Sequence, residues 1–120
     1  LKIMSYDCYL VDKDKNVIIL DKSFDRAGGI YAIGGTNEAW LNVTYNYAPI
    51  FQKVLGFSLS DLDGKCVKDT LEDLEKGISL LKEDDKTNCY WDSTEYNAKR
   101  ALKDLVYLGK HDPDAFWYIC

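Results

Sequence analysis

Glu38-Ala39-Trp40-Leu41-Asn42-Val43-Thr44-Tyr45-Asn46-Tyr47 is the stretch from which the rest of this chain is best read. Successive side chains of an extended strand point to opposite faces, so a period of two sorts inward residues from outward ones. Ala39, Leu41, Val43, Tyr45 and Tyr47 fall on one apolar face, and Trp40, Asn42, Thr44 and Asn46 on a face of amides, a hydroxyl and an indole. The pattern predicts a strand over 38–47 with one side on a core. Pro49 ends the extension where a helix can begin, because proline is accommodated in a first helical turn. Residues 50–55 then read as a short helix, with Gly56 as its left-handed cap.

Upstream, residues 4–11 mix aromatic and aliphatic side chains with partial alternation, as a strand does. The polar run Asp12-Lys13-Asp14-Lys15-Asn16 and the apolar run Val17-Ile18-Ile19-Leu20 complete an expected N-terminal hairpin. Residues 21–29 read as a loop ending in Gly28-Gly29, and 30–33 as a short strand closed by Gly34-Gly35. Downstream the periodicity changes. Leu71, Leu74, Ile78 and Leu81 recur at helical spacing and predict a helix over 68–82. Asp92-Ser93-Thr94-Glu95 fits a capping box with Asp92 as the cap. The helix behind it carries Ala98, Ala101, Leu102, Leu105, Val106 and Leu108 and stops at Gly109. Asp112-Pro113 is expected to open one last turn that brings Phe116 and Trp117 back onto the body. Strands precede helices, which points to an α+β domain: a small antiparallel sheet of three to four strands with two or three helices on one side. Residues 1–120 form one domain on this reading, with Met4 as the natural start and residues 1–3 extraneous to it.

The bulk properties suit a folded domain: 47% of its 120 residues are apolar and 29% charged. No apolar run approaches the roughly 20 residues that span a bilayer. With no secretory leader pattern at the start either, a cytoplasmic protein is expected. The net charge of −5 repels phosphate backbones, which argues against direct nucleic-acid binding and favours basic protein surfaces. Cys8, Cys66, Cys89 and Cys120 form neither a C-x-x-C pair nor a zinc spacing, and are expected as thiols.

Catalytic signatures are scarce. His111 is the sole histidine, and its place just past a helix end suits a structural role at the dipole. The string 12–16 begins like a calcium loop but puts Val17 and Ser23 where glycine and glutamate belong. Gly29 with Gly34-Gly35-Thr36 has phosphate-loop spacing but glycine in place of the lysine that would hold the phosphates. An enzyme is therefore the least favoured reading, and no cofactor or metal is expected. A binding surface remains. The polar face Trp40, Asn42, Thr44 and Asn46 has two readings: a face turned to water, as one side of an antiparallel sheet commonly is, or a binding surface, since uncharged donors and acceptors beside aromatic area are what binding sites use. Nine tyrosines in the chain add to that tendency. Glu95, Asn97 and Arg100, at the start of the last long helix, are candidates to complete the site, with Arg26 and Tyr31 as weaker ones.

Several stretches carry a family likeness. Met4-Ser5-Tyr6-Asp7 with Tyr9-Leu10-Val11-Asp12, the run Gly28 to Thr36, the run Glu38 to Tyr47, and Asn97-Ala98-Lys99-Arg100-Ala101-Leu102 resemble small uncharacterised proteins of phages and prophages in gut and Gram-positive bacteria. The resemblance covers nearly the whole chain, with residues 57–70 departing from it. It transfers no catalytic residues. What it implies is a phage accessory protein in the bacterial host cytoplasm that binds and antagonises a host defence component, for example a CRISPR effector with a basic groove. The alternatives are a protein that sequesters a small nucleotide signal, and an enzyme of unknown class.

Overall fold

Alternation in the first strand organises the fold. A computed structural model describes residues 5–21, 30–31 (backbone alone), 37–83 and 92–120. In it β1 (Ser5–Val11) sends Cys8 and Leu10 into the core at 0% exposure, while Ser5, Asp7 and Tyr9 on the other face are half-buried. Both edges of β1 are used. β3 (Trp40–Thr44) pairs antiparallel with one, from Ser5↔Thr44 to Tyr9↔Trp40. The strand Phe116–Ile119, β4, takes the other edge, from Cys8↔Ile119 to Val11↔Phe116. The short β2 (Ile30–Tyr31) lies outside β3, giving the order β2-β3-β1-β4 with every pair antiparallel.

The helical layer covers the face that carries Cys8, Leu10, Leu41, Val43, Trp117 and Ile119. It consists of α1 (Ala48–Leu55), α2 (Leu71–Ser79) and α3 (Glu95–Gly109), which contribute Phe51, Leu74, Ala98, Ala101, Leu102 and Leu105 to the same core. The protein is thus α+β as expected. α1 begins with Pro49 in its first turn and ends on Gly56 at φ 80°, a left-handed cap that suits glycine. Gly109 closes α3 against β4. A Cβ there would meet Val67 Cγ1 at 2.8 Å and Trp117 Cζ2 at 3.2 Å, so only glycine lets the helix end come so near.

Four local expectations are corrected. The strand expected over 38–47 ends at Thr44, whose Oγ1 accepts from the Asn46 amide (3.3 Å) and starts a 3-10 turn, Tyr45–Tyr47. That local bond competes with the sheet ladder, and Tyr47 is then carried into the core, edge-on to Phe51. The N-terminal hairpin forms its turn but not its ladder. Asp12 holds the turn by accepting from the Asp14 and Asn16 amides, and Val11↔Val17 is the one bridge back to β1. Because β3 and β4 occupy the edges of β1, the arm leaves to pair with the approach to β3, through Ile19↔Glu38 and Leu20 N–H to Asn37 O (2.7 Å). Both long helices start later than expected. Residues 67–69 form a 3-10 turn ahead of α2, with Thr70 Oγ1 donating to the Val67 carbonyl, and Thr94, not Asp92, caps α3 by accepting from the Asn97 amide.

The fourth correction matters most for the site. The turn expected at Asp112-Pro113 forms, with Ala115 N–H donating to Asp112 O (3.0 Å), and Trp117 does return to the core. What the sequence reading lacked is that residues 116–119 continue as a strand, since Phe-Trp-Tyr-Ile is rich in strand formers and alternates, with Trp117 and Ile119 inside and Tyr118 outside. Its outer edge is sealed by the connection before α2: Gly64 N–H donates to Trp117 O (2.8 Å), Trp117 N–H to Lys65 O (2.9 Å), and Ile119 N–H to Asp63 Oδ1 (2.9 Å). Sealing an edge this way removes a template for unwanted pairing. The Trp117 indole is 1% exposed and donates to Thr70 Oγ1 at 2.8 Å, while Thr70 donates to Val67 O at 2.7 Å. Replacing Thr70 with valine leaves that buried indole N–H unsatisfied at nearly constant volume. The expected loss is about 1–3 kcal/mol of stability in urea unfolding, with Thr70→Ser much closer to wild type. Equal stability of Thr70→Val would show that the bond does not hold β4 to the helical layer.

Candidate functional site: the face of the sheet away from the helices

Residues opposite one another on neighbouring strands share a row. The register Tyr9↔Trp40 and Tyr9↔Tyr118 therefore sets three aromatic side chains in one row across β3, β1 and β4. Trp40 and Tyr9 stack with centroids 5.6 Å apart and planes 8° from parallel, and Tyr9 and Tyr118 lie 5.9 Å apart at 39°. Tyr118 is 41% exposed, and Trp40 and Tyr9 are half-buried. This row stands on the side of the sheet opposite α1, α2 and α3.

A polar row runs beside it. Asp7 lies opposite Asn42, and its Oδ1 accepts from Trp40 Nε1 (3.1 Å) and from Asn42 Nδ2 (2.9 Å). Asn42 Nδ2 also donates to Ser5 Oγ at 2.9 Å. Two donors on one oxygen fix the direction of the carboxylate. Among the described residues Asp7 Oδ2 accepts no hydrogen bond, and no lysine or arginine pairs with Asp7. On the other side of the aromatic row, Val11 and Phe116 lead into a cleft of about 260 Å³ rimmed by Asp12, Lys13, Lys15, Asp63 and Gly64.

The charges that bear on Tyr9 are acidic. Partial burial, followed by the nearby charges of Asp7, Cys120 and Glu38, holds the Tyr9 phenol above its ordinary pKa. The exposed Cys120 thiol is raised in the same sense by desolvation, then by Asp7 and Asp63. Cys8 is fully buried and its thiol is pushed up by burial. Neither cysteine has the lowered pKa of a nucleophile.

Of the residues singled out from sequence, Trp40 and Asn42 stand together on this face. Thr44 shares its parity but is 3% exposed, with its hydroxyl occupied in the turn, and Asn46 is exposed on that turn rather than on the strand. The Tyr31 backbone lies opposite Asn42. Arg26 lies outside the described residues, as do the paired glycines and Cys89. Glu95, Asn97 and Arg100 belong to α3, in the layer on the far side of the sheet, so they do not join Trp40 and Asn42 in one site. Glu95 Oε1 accepts from the Lys82 amide (3.1 Å), and the buried Asn97 donates from Nδ2 to Asp92 O (3.1 Å). Arg100 lies with Glu83, Tyr96, Lys99 and Lys103 around a small recess, where Glu83 pairs with both lysines. His111 sits at the end of α3, its Nδ1 2.9 Å from Tyr107 O and its ring edge-on to Tyr107.

Sequence reading missed Asp7, Tyr9, Phe116 and Tyr118. The signal for the first pair was present: the alternation that sorts Trp40 and Asn42 outward also sorts Ser5, Asp7 and Tyr9 outward in residues 5–11. The second pair required the strand at 116–119.

The raised Tyr9 pKa gives a pH signature. In the unfolded chain the phenol titrates near its ordinary 10.0, and in the fold it holds its proton to higher pH. Between those two values the folded state binds more protons, so stability falls as pH rises. The contribution is intact below pH 10 and lost as pH climbs through the folded value. Alkaline unfolding curves are expected to be shallower for Tyr9→Phe, and Asp7→Asn is expected to lower the Tyr9 titration followed by tyrosinate absorbance. A titration unmoved by Asp7→Asn would remove Asp7 from the neighbourhood of the phenol.

Among the described residues no helix is long and apolar enough to cross a membrane, and no group of three or more histidines, cysteines or carboxylates is placed to hold a metal ion. Comparison with protein-family models, with curated proteins and with solved structures finds no match.

Proposed function

We propose that this chain is a non-enzymatic binding protein that works by covering a basic surface of another protein. In the setting implied by the phage-protein resemblance, it antagonises a host defence component such as a CRISPR effector. The observation that supports the reading is the Trp40–Tyr9–Tyr118 row set beside Asp7, on a face that no described helix covers. Tyrosine and tryptophan supply large contact area at small entropic cost, and they dominate the energetics of protein interfaces. A net charge of −5 adds long-range attraction to a positive groove.

The cleft beside Val11 and Phe116 bears on the rival reading, sequestration of a nucleotide signal. At about 260 Å³ it falls short of the roughly 300–1,000 Å³ of pockets that enclose small ligands. Asp12 and Asp63 also share its rim with Lys13 and Lys15, so it offers phosphate no net positive site. The cleft fits an anchor for one side chain better than a nucleotide pocket.

Expression in bacteria defended by a CRISPR effector tests the proposal. The wild-type chain is expected to restore phage plating, and the chain with both Tyr118→Ser and Asp7→Asn is expected to lose most of that effect while keeping its melting temperature within a few degrees. With a purified partner, raising salt from dilute buffer to about 0.5 M is expected to slow association severalfold. Full activity of the double variant, or association indifferent to salt, would contradict the reading.

A further inference from the structure

Asp7 poses a physical question that the fold leaves open. A half-buried carboxylate beside an indole and a phenol has lost part of its hydration, and such a charge is costly unless something pairs with it. Its Oδ1 is taken by Trp40 and Asn42, but Oδ2 accepts nothing from the described residues. The lysines that form ion pairs among the described residues are engaged elsewhere, with Glu75, Glu83 and Asp114. Asp7 is thus an anion held in a fixed direction, with one oxygen open and an indole and a phenol close by. Pre-organisation of this kind is what a cation-binding site needs.

The cation that fits is a guanidinium. It is planar, presents its N–H groups as a fork that matches a carboxylate, is weakly hydrated, and lies against aromatic rings. An ammonium satisfies the charge alone. Single-stranded nucleic acid stacks its bases on such rows, but it brings phosphates to a surface where Asp7 and Glu38 already bear on the Tyr9 phenol. The cleft supplies a second point of contact on the same face. It begins at Val11, four residues along β1 from Asp7, which is roughly 13 Å of extended chain.

We propose that the open sheet face takes an extended segment of a protein partner through one arginine, its guanidinium paired with Asp7 Oδ2 beside the Trp40 and Tyr9 rings, and through one apolar side chain about four residues away seated beside Val11 and Phe116. This rests on the binding reading above and names the chemistry of its partner.

The test uses the intact chain, labelled with nitrogen-15, and a blocked heptapeptide carrying arginine at its second position and phenylalanine at its sixth. Addition of the peptide is expected to shift the Trp40 indole N–H and the amides of β1, β3 and β4, leaving α3 unmoved. Replacing arginine by citrulline, which keeps the shape and removes the charge, is expected to weaken binding at least about tenfold. Asp7→Asn is expected to do the same, since it keeps an acceptor for Trp40 and Asn42. Should that variant misfold, the citrulline comparison on the wild-type chain decides alone. Equal binding of the two peptides, shifts confined to α3, tighter binding of an oligothymidine to the same signals, or no shift at millimolar peptide would each overturn the proposal. If the peptide fails while the Tyr118→Ser, Asp7→Asn chain still loses its effect on phage plating, the arginine inference falls and the binding reading stands. If that double variant is fully active as well, both fall.

Discussion

One constraint runs through this molecule: β1 has a neighbour on each edge and one face on the core. Cys8 and Leu10 must enter the core, and Asp7 and Tyr9 must then stand on the opposite side. A slip of one residue would bury a carboxylate and a phenol and expose the core. Because β3 and β4 read their registers from β1, the aromatic row and the polar row beside it follow from the same requirement that builds the core. The surface was not added to the fold; it is the other half of the pattern that makes the fold.

The helical layer and the edge closure keep that pattern single-valued. Trp117 of β4 is buried against the turn that precedes α2, with its indole N–H satisfied by Thr70. Residues 63–67 seal the outer edge of β4, and Gly109 lets the end of α3 reach the Trp117 ring. These contacts fix where Tyr118 stands, one residue along and on the other face. Packing on one side of the sheet therefore positions aromatic surface on the other.

How much of this the sequence displays depends on the range of the forces involved. The α+β class, the inward set Ala39, Leu41 and Val43, and the two longer helices come from periodicity, which is local and strong in residues 38–44, 71–81 and 95–109, while α1 is read from Pro49 and Gly56 at its ends. Trp40 and Asn42 were legible for the same reason. The end of β3 was not, because a Thr44 hydroxyl that bonds two residues ahead competes with the ladder at a position the alternation treats as ordinary. Nor was the hairpin arm, whose departure from β1 depends on strands that arrive from distant parts of the chain. β4 was hidden by Asp112-Pro113, a pair that opens helices as readily as turns, and its identity as a strand rests on pairing with a segment about a hundred residues earlier. Chemistry alone groups Glu95, Asn97 and Arg100 with the strand face, whereas layer geometry places them on the far side of the sheet.

On the proposed function, a partner protein covers the Trp40–Tyr9–Tyr118 face. Hydroxyl-radical footprinting of the chain, free and in complex with the protein it binds, tests that claim most directly. Oxidation of Tyr9, Trp40 and Tyr118 is expected to fall on binding, while Tyr107, half-exposed on α3, stays as reactive as before. Protection of Tyr107 with the three sheet residues unchanged would place the contact on the helical layer and contradict the account.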